Sequence, residues 1–381
     1  LLSIESKLPT SSTSIFAVMS KMAADHGAIN LSQGFPDFPV SSELIGLVNR
    51  NMQNGHNQYA PMPGLPSLRK TIAKVIDDSY NYEVDFESDI TVTSGATEAL
   101  FASISAIVKP GDEVIIFDPA YDSYAPAVRL AGGKPVHIAL QAPSYAIDWT
   151  KVERIISKKT TLIIINTPHN PTGATLSEKD MLSLQKVVLE NELFLISDEV
   201  YERITFDNVK HESVLRYPEL AARSVAIFSF GKTFHATGWK VGYAVAPANL
   251  TAEIRKIHQY LTFSVNTPVQ HALAEYMTEE TNYLNLGSFY QKKRDFFVNR
   301  LKDSRFEVLP CHGTYFQLLS YKQVADMPEK EMAEHLTKEF GVASIPTSAF
   351  YENENDNGVL RFCFAKSEET LEKATGILCK I

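Results

Sequence analysis

From about Ile90 to Ala246, short runs of apolar and often β-branched residues alternate with longer segments of helical periodicity. The runs Ile90–Thr93, Glu113–Phe117, Pro135–Ala139, Thr161–Asn166, Phe194–Ser197, Val225–Ser229 and Val241–Val245 have the length and composition of strands. Between them, Thr97–Val108 and Glu178–Glu190 read as helices. Strand alternating with helix predicts an α/β fold: a mostly parallel seven-stranded sheet covered by helices on both faces. In such sheets ligands bind at the carboxyl ends of the strands. Ser94-Gly95-Ala96-Thr97, Asn170, Asp198 and Lys232 all follow strands, so the chemistry-bearing residues gather where the fold class expects them.

After about Leu286 the pattern changes. A basic helical stretch, Tyr290–Leu301, leads into strand–helix–strand patterning up to Phe364, the mark of a smaller α+β domain. The expected division is a large domain over 41–285 and a small one over 1–40 and 286–381, with a helix from about Thr267 placed to bridge them. A chain of 381 residues exceeds what one core usually serves. Its 44% hydrophobic and 21% charged residues are those of an ordinary soluble enzyme. A net charge of −9 with no basic run argues against nucleic acid as a partner. Cys311, Cys363 and Cys379 lie far apart without a CxxC pair, which suits a reducing cytoplasm, and Cys363 reads as a buried apolar residue. No apolar run has the length to cross a bilayer, and Leu1–Thr10 lacks the features of a signal peptide. No metal site is expected.

Lys232 sits in a turn rich in small and hydroxyl residues, after Ser229-Phe230-Gly231, and Lys240 follows eight positions later. An aldehyde cofactor carrying a phosphate needs such parts: an amine to form a Schiff base, and a hydroxyl and a cation for the phosphate. Ser94–Leu100 opens a helix, whose free amides and dipole suit a phosphate; alternatively Ser94 or Thr97 merely caps it. Neither GxxxxGK nor GxGxxG is present. Asp198 ends a strand and Tyr201 follows three residues on. A carboxylate facing a pyridine nitrogen keeps it protonated, and a tyrosine there can reach a phenolic oxygen; the alternative is a helix cap beside a half-exposed tyrosine. In Asn166-Thr167-Pro168-His169-Asn170-Pro171-Thr172-Gly173 the prolines and glycine fix a turn. Its Asn170 can donate to the same oxygen or to a carboxylate, while His169 reads as a loop residue. Tyr121 offers a flat face for a ring. Arg361 lies in an apolar strand, suited to a bidentate grip on a substrate carboxylate or to an internal salt bridge.

In this order, the segments Asn30–Phe38, Asn57–Gly64, Thr93–Leu100, Asn166–Gly173, Ser197–Glu202, Gly231–Tyr243 and Arg361–Lys366 resemble the class I/II aminotransferases of pyridoxal phosphate (PLP) fold type I. The spelling is nearest to the kynurenine/glutamine aminotransferase branch and its bacterial methionine aminotransferase relatives. The resemblance spans about Ile15 to Lys366. It implies that Lys232 forms the Schiff base and that Ala96, Thr97, Ser229 and Lys240 cradle the phosphate, joined by Tyr59 from the other subunit of a homodimer. It implies Tyr121 as the ring stacker, Asp198 as the pyridinium partner, and Asn170 and Tyr201 as partners of the phenolic oxygen. Gly34, Asn170 and Arg361 would hold the substrate carboxylate, and Phe16 would lie over the substrate side chain. Lys240 stands where many relatives have arginine, giving a point charge in place of a fork.

The implied reaction is ping-pong transfer of an amino group from an L-amino acid to a 2-oxo acid, with Lys232 moving the α-proton. No second arginine is placed for a distal carboxylate, which favours a donor with a neutral, apolar or aromatic side chain: methionine, aromatic, kynurenine or glutamine type. The alternative on the same residues is a cysteine-conjugate carbon–sulfur β-lyase. An intact Lys232 and Asp198 count against a non-catalytic regulator, and the missing dinucleotide fingerprint counts against a nicotinamide dehydrogenase.

Overall fold

A computed structural model of the chain describes residues 4–9 and 13–381; the reading of Leu1–Thr10 as lacking a signal peptide falls partly outside them. All seven expected strands form: β1 (Ile90–Thr93), β2 (Glu113–Asp118), β3 (Lys134–Ala139), β4 (Thr160–Asn166), β5 (Phe194–Asp198), β6 (Ser224–Ser229) and β7 (Gly242–Val245). They make one sheet in the order β1-β7-β6-β5-β4-β2-β3. Every pairing is parallel except those of β7, which runs against both its neighbours. That reversal matters for the site. Thr93 and Ser229 end their strands opposite Gly242, which begins β7, so the residues just before β7 arrive at the carboxyl edge of the others.

Alternation along the strands divides the core. Ile163 and Ile165 of β4 join one apolar cluster, with Ile115, Phe117 and Leu195. Leu162 and Ile164 join the cluster on the other face, with Val114, Ile116 and Ile196. The helix Glu178–Glu190 matches its sequence pattern. Ser177 and Asp180 close a capping box at its start, and Met181, Leu184, Val187 and Val188 bury one stripe. The helix expected at Thr97 begins at Gly95. The helix from Thr267 does not bridge the chain's two parts: it stops at Tyr276 and packs on helices Ser42–Gln53 and Pro66–Tyr80.

Beyond it, the basic stretch forms helix Leu286–Arg300, and a third apolar cluster gathers around Phe297, Phe316, Leu336, Phe362 and Leu371. Its antiparallel sheet runs in the order Ile345–Pro346, Val359–Cys363, Phe316–Ser320, Glu307–Val308. Ile29–Asn30 pairs in parallel with Val342–Ala343, bringing the chain's beginning and its Gln33–Gly34 turn beside this sheet. Arg361 lies on the Val359–Cys363 strand, between Leu318 and Ile345.

Candidate active site

A cavity of about 240 Å³ opens at the carboxyl ends of β4, β5 and β6, facing Gly34, Phe316 and Arg361. Phe230–Thr233 forms a single helical turn directly after β6, which turns Lys232 into the cavity. Its Nζ donates to the Tyr315 hydroxyl at 2.7 Å and lies 3.4 Å from the Gly34 carbonyl. The Tyr315 hydroxyl donates in turn to that carbonyl at 2.5 Å. Burial pushes the Lys232 amine down to about 8, assisted by Arg361 and Lys240 and opposed by Cys363 and Asp198. Asp198, at the end of β5, is buried, which raises its carboxyl to about 6 against the pull of the Tyr124 hydroxyl, 2.5 Å from Oδ2. Neighbouring Asn166, paired with Asp198 in the ladder, donates to the Asp198 carbonyl at 2.8 Å and accepts from the Asn170 amide at 2.8 Å.

Ser94 does not cap its helix through its side chain. Its own amide is taken at 2.6 Å by Glu98, while Gly95, Ala96 and Thr97 line the cavity. These three residues of the helix's first turn, whose amides have no partner within the helix, thus line the cavity beside Ser229, Thr237 and Lys240. Gly95 has φ +75°, and a Cβ there would lie 3.2 Å from Lys240 Cε and Nζ. A Cβ on Gly242 would lie 2.9 Å from the Ala96 amide nitrogen. Glycine at 95 lets the Lys240 ammonium come up against the helix start, and glycine at 242 lets β7 pass close to the Ala96 amide.

Across the cavity, Arg361 is fully buried. Nη1 donates to Asn170 Oδ1 at 2.9 Å and Nη2 to the Ser32 carbonyl at 2.8 Å, with the Phe316 ring 3.9 Å from the guanidinium carbon. Among the described residues no carboxylate pairs with it, and its Nε has no partner, so an internal salt bridge is not what it makes. Burial pulls its pKa down to about 10. Phe16 and Phe350 stand 5.2 and 5.3 Å from the same guanidinium. A Cβ on Gly34 would lie 2.7 Å from the Phe316 ring, so only glycine lets this turn pass so close.

The fold thus brings Phe16, Gly34, Ala96, Thr97, Tyr121, Asn170, Asp198, Tyr201, Ser229, Lys232, Lys240 and Arg361 to one cavity. Tyr59 is not among its lining residues. It is 82% exposed, its ring edge-on to Phe263. His169 is a buried loop residue, hydrogen-bonded to Thr172 at 2.7 Å and held neutral by burial, down to about 4. The sequence reading missed Tyr315, Tyr124 and Phe316. Tyr315 precedes a strand in Gly313-Thr314-Tyr315-Phe316, 83 positions from Lys232, and nothing local marks it. Tyr315→Phe is expected to lower kcat/KM roughly 10- to 100-fold, the worth of a hydrogen bond to a charged group. Steady-state kinetics beside an unchanged melting temperature checks this.

A family model described as "Aminotransferase class I and II" matches residues 26–378. The methionine aminotransferase of Escherichia coli K12 is 52% identical over 368 residues, covering 96% of this chain and 95% of its own. The kynurenine–oxoglutarate transaminase of Dictyostelium discoideum is 35% identical, covering 97% and 94%. Among solved structures, an E. coli protein reported to have a methionine aminotransferase function superposes with a TM-score of 0.98 at 51% identity over the whole of both chains. The N-succinyldiaminopimelate aminotransferase of Mycobacterium tuberculosis gives 0.95 at 35%, covering 99% and 100%. With an amine, a carboxylate, open helix amides and a carboxylate-free arginine around one cavity, these likenesses leave a single conclusion: the chain belongs to the class I and II aminotransferases, enzymes that use pyridoxal 5′-phosphate.

Proposed function

We propose that this chain moves the amino group of an L-amino acid with a neutral, apolar or aromatic side chain, methionine foremost, to a 2-oxo acid. The observation that carries it is the cavity itself. Its only cations from this chain, among the described residues, are Lys232, Lys240 and Arg361. Each has a task of its own, so none remains for a distal carboxylate, and Phe16, Val200 and Phe316 add apolar wall. The 52% identity to a methionine aminotransferase supports the same donor class.

The residues fit the cofactor. Gly95, with no Cβ, keeps the Lys240 ammonium against the helix start, and with Ala96, Thr97 and Ser229 lining the cavity beside it these residues would hold the phosphate. Tyr121 would flank the ring, Asp198 would face its nitrogen, and Asn170 with Tyr201 would meet its phenolic oxygen. When bound, the cofactor supplies an aldehyde for the amine and a ring that takes up the electron pair left by proton removal. Arg361, with Asn170 and the Gly34 turn, fixes the substrate carboxylate and so aims the α-hydrogen at Lys232. Lys232, its amine made less basic by burial, would take that proton and hold it for return. Tyr315 holds the amine within reach between the two events.

We also propose that the active unit is a homodimer in the cytoplasm, with the division at 41–285 against 1–40 and 286–381. Tyr59, exposed here against the ring of an exposed Phe263, would complete the phosphate cradle of the partner. No described helix is long and apolar enough to cross a membrane. The test of transfer is a half-reaction: holoenzyme, one amino acid, no oxo acid. Methionine should yield about one oxo acid per site and no ammonia, as a ping-pong first half requires. Ammonia and thiol released over many turnovers from a cysteine conjugate would replace transfer by β-elimination, a reading that the relatives named above, all transaminases, do not favour.

A further inference from the structure

The loop that carries Tyr59 is held by its carbonyls at alternate residues. Thr267 Oγ1 donates to the Gln58 carbonyl at 2.6 Å, Ser264 Oγ to that of Ala60 at 2.9 Å, and His258 Nε2 to that of Met62 at 2.9 Å. Anchored at three points, this backbone has little freedom to withdraw Tyr59 from the surface.

The three donors are not equivalent. His258 is wholly buried, and its other ring nitrogen, Nδ1, lies 2.7 Å from Glu98 Oε1. The second oxygen of Glu98 accepts the Ser94 amide at 2.6 Å. Ser94 and Glu98 bracket Gly95, Ala96 and Thr97, the three first-turn residues that line the cavity. A ring with a carboxylate on one nitrogen and a carbonyl on the other is locked in orientation from both sides. One chain of short bonds therefore runs from the helix start, through Glu98 and His258, to the carbonyl of Met62. Neither Thr267 nor Ser264 has such a second connection to the helix. Gly64, two residues on, has φ +103°, and a Cβ there would lie 2.4 Å from Val92 in the strand that leads to Ser94. The loop thus also packs against the strand that leads into the helix.

We propose that His258, with Glu98, is a positioning residue that ties the phosphate-facing helix of one active site to the tyrosine presented to the other. The inference rests on the dimeric reading above, in which Tyr59 serves the partner's phosphate. An anion that orders the helix start in one subunit then also orders the loop that completes the second site. His258 touches neither substrate nor cofactor. Its effect belongs to the phosphate and not to the aldehyde ring.

The experiment compares apoenzyme affinities for pyridoxal phosphate and for pyridoxal, which lacks the phosphate, by fluorescence titration, in wild type, His258→Ala, Tyr59→Phe and the double variant. The expected result is a roughly tenfold fall in the ratio of the two affinities in His258→Ala, with pyridoxal itself bound as before. Adding Tyr59→Phe should lower the ratio no further, because both changes remove the same contact. A lower melting temperature with a wild-type ratio would make His258 merely structural and overturn the proposal. So would strictly additive effects of the two substitutions. If Tyr59→Phe alone leaves the ratio untouched, the dimeric phosphate reading fails and the proposal with it; if Tyr59→Phe lowers it and His258→Ala does not, only the proposal fails. Should His258→Ala not fold, His258→Gln, whose amide satisfies one acceptor at a time, is measured in its place.

Discussion

Lys232→Ala is expected to bind pyridoxal phosphate without a covalent bond and to lose turnover by about 10⁴-fold or more, the upper range for removing a positioned proton carrier. The residues proposed to cradle the phosphate lie on other elements, so the variant should still take up cofactor. Gly95, Ala96 and Thr97 start a helix after β1, and Lys240 precedes β7. Absorption of the bound cofactor should shift from that of a lysine-linked chromophore to that of the free aldehyde, and acid precipitation should release all of it. The same amine sets a pH dependence for cofactor capture. Attack on an aldehyde needs unprotonated nitrogen, and burial has brought Lys232 down to about 8. Below that pH the neutral fraction falls tenfold per unit. The rate at which wild-type apoenzyme forms its covalent link should therefore rise with pH up to about 8 and then level. A rate still climbing between pH 9 and 10 would show the amine to be as basic as an exposed lysine. Wild-type turnover in Lys232→Ala would remove it from the chemistry altogether.

Arg361→Ala is the second large effect. The guanidinium is fully buried against the Phe316 ring, donates to Asn170 Oδ1 and the Ser32 carbonyl, and has no carboxylate partner of its own among the described residues. A substrate carboxylate would supply the missing charge. Losing one partner of a buried charge pair costs about 3–5 kcal/mol, which in kcat/KM is roughly 10²- to 10⁴-fold. Because both half-reactions begin with a carboxylate, KM should rise for amino acid and oxo acid alike. Arg361→Lys keeps the charge but not the two-pronged geometry and should recover only part of the loss. An amino alcohol lacking the carboxylate separates specific from general damage. Arg361→Ala should no longer prefer methionine over methioninol, whereas a merely destabilised enzyme would keep that preference. Unchanged KM values would assign the carboxylate to another group.

Much of this site is legible in the order of residues alone. The strands stand out because a strand buried on both faces must be apolar along its length, as in Leu162–Ile165. The rule that ligands meet strand ends then lends meaning to Asp198 and Lys232. Other features have no local signature. Tyr124 and Tyr315 look like any aromatic residue in their segments, yet one holds Asp198 at 2.5 Å and the other holds Lys232 at 2.7 Å. Their partners lie 74 and 83 residues away in the chain, and the contacts exist only because separate elements fold back onto the same edge of the sheet. His258, 160 residues from Glu98, is the same case.

The sequence by itself determined the alternation of strand and helix, the identity of the strand-end residues, and the family to which their spelling belongs. Period and composition are local, and the chemistry of an amine or a carboxylate travels with its residue. The tertiary structure alone decided three things. The reversal of β7 brings Lys240 to the carboxyl edge of the parallel strands. The second, antiparallel sheet delivers Arg361 to Asn170. Three carbonyl anchors turn Tyr59 outward. Each depends on how distant segments pack, and burial, which sets the basicity of Lys232 and the acidity of Asp198, exists only once they have done so.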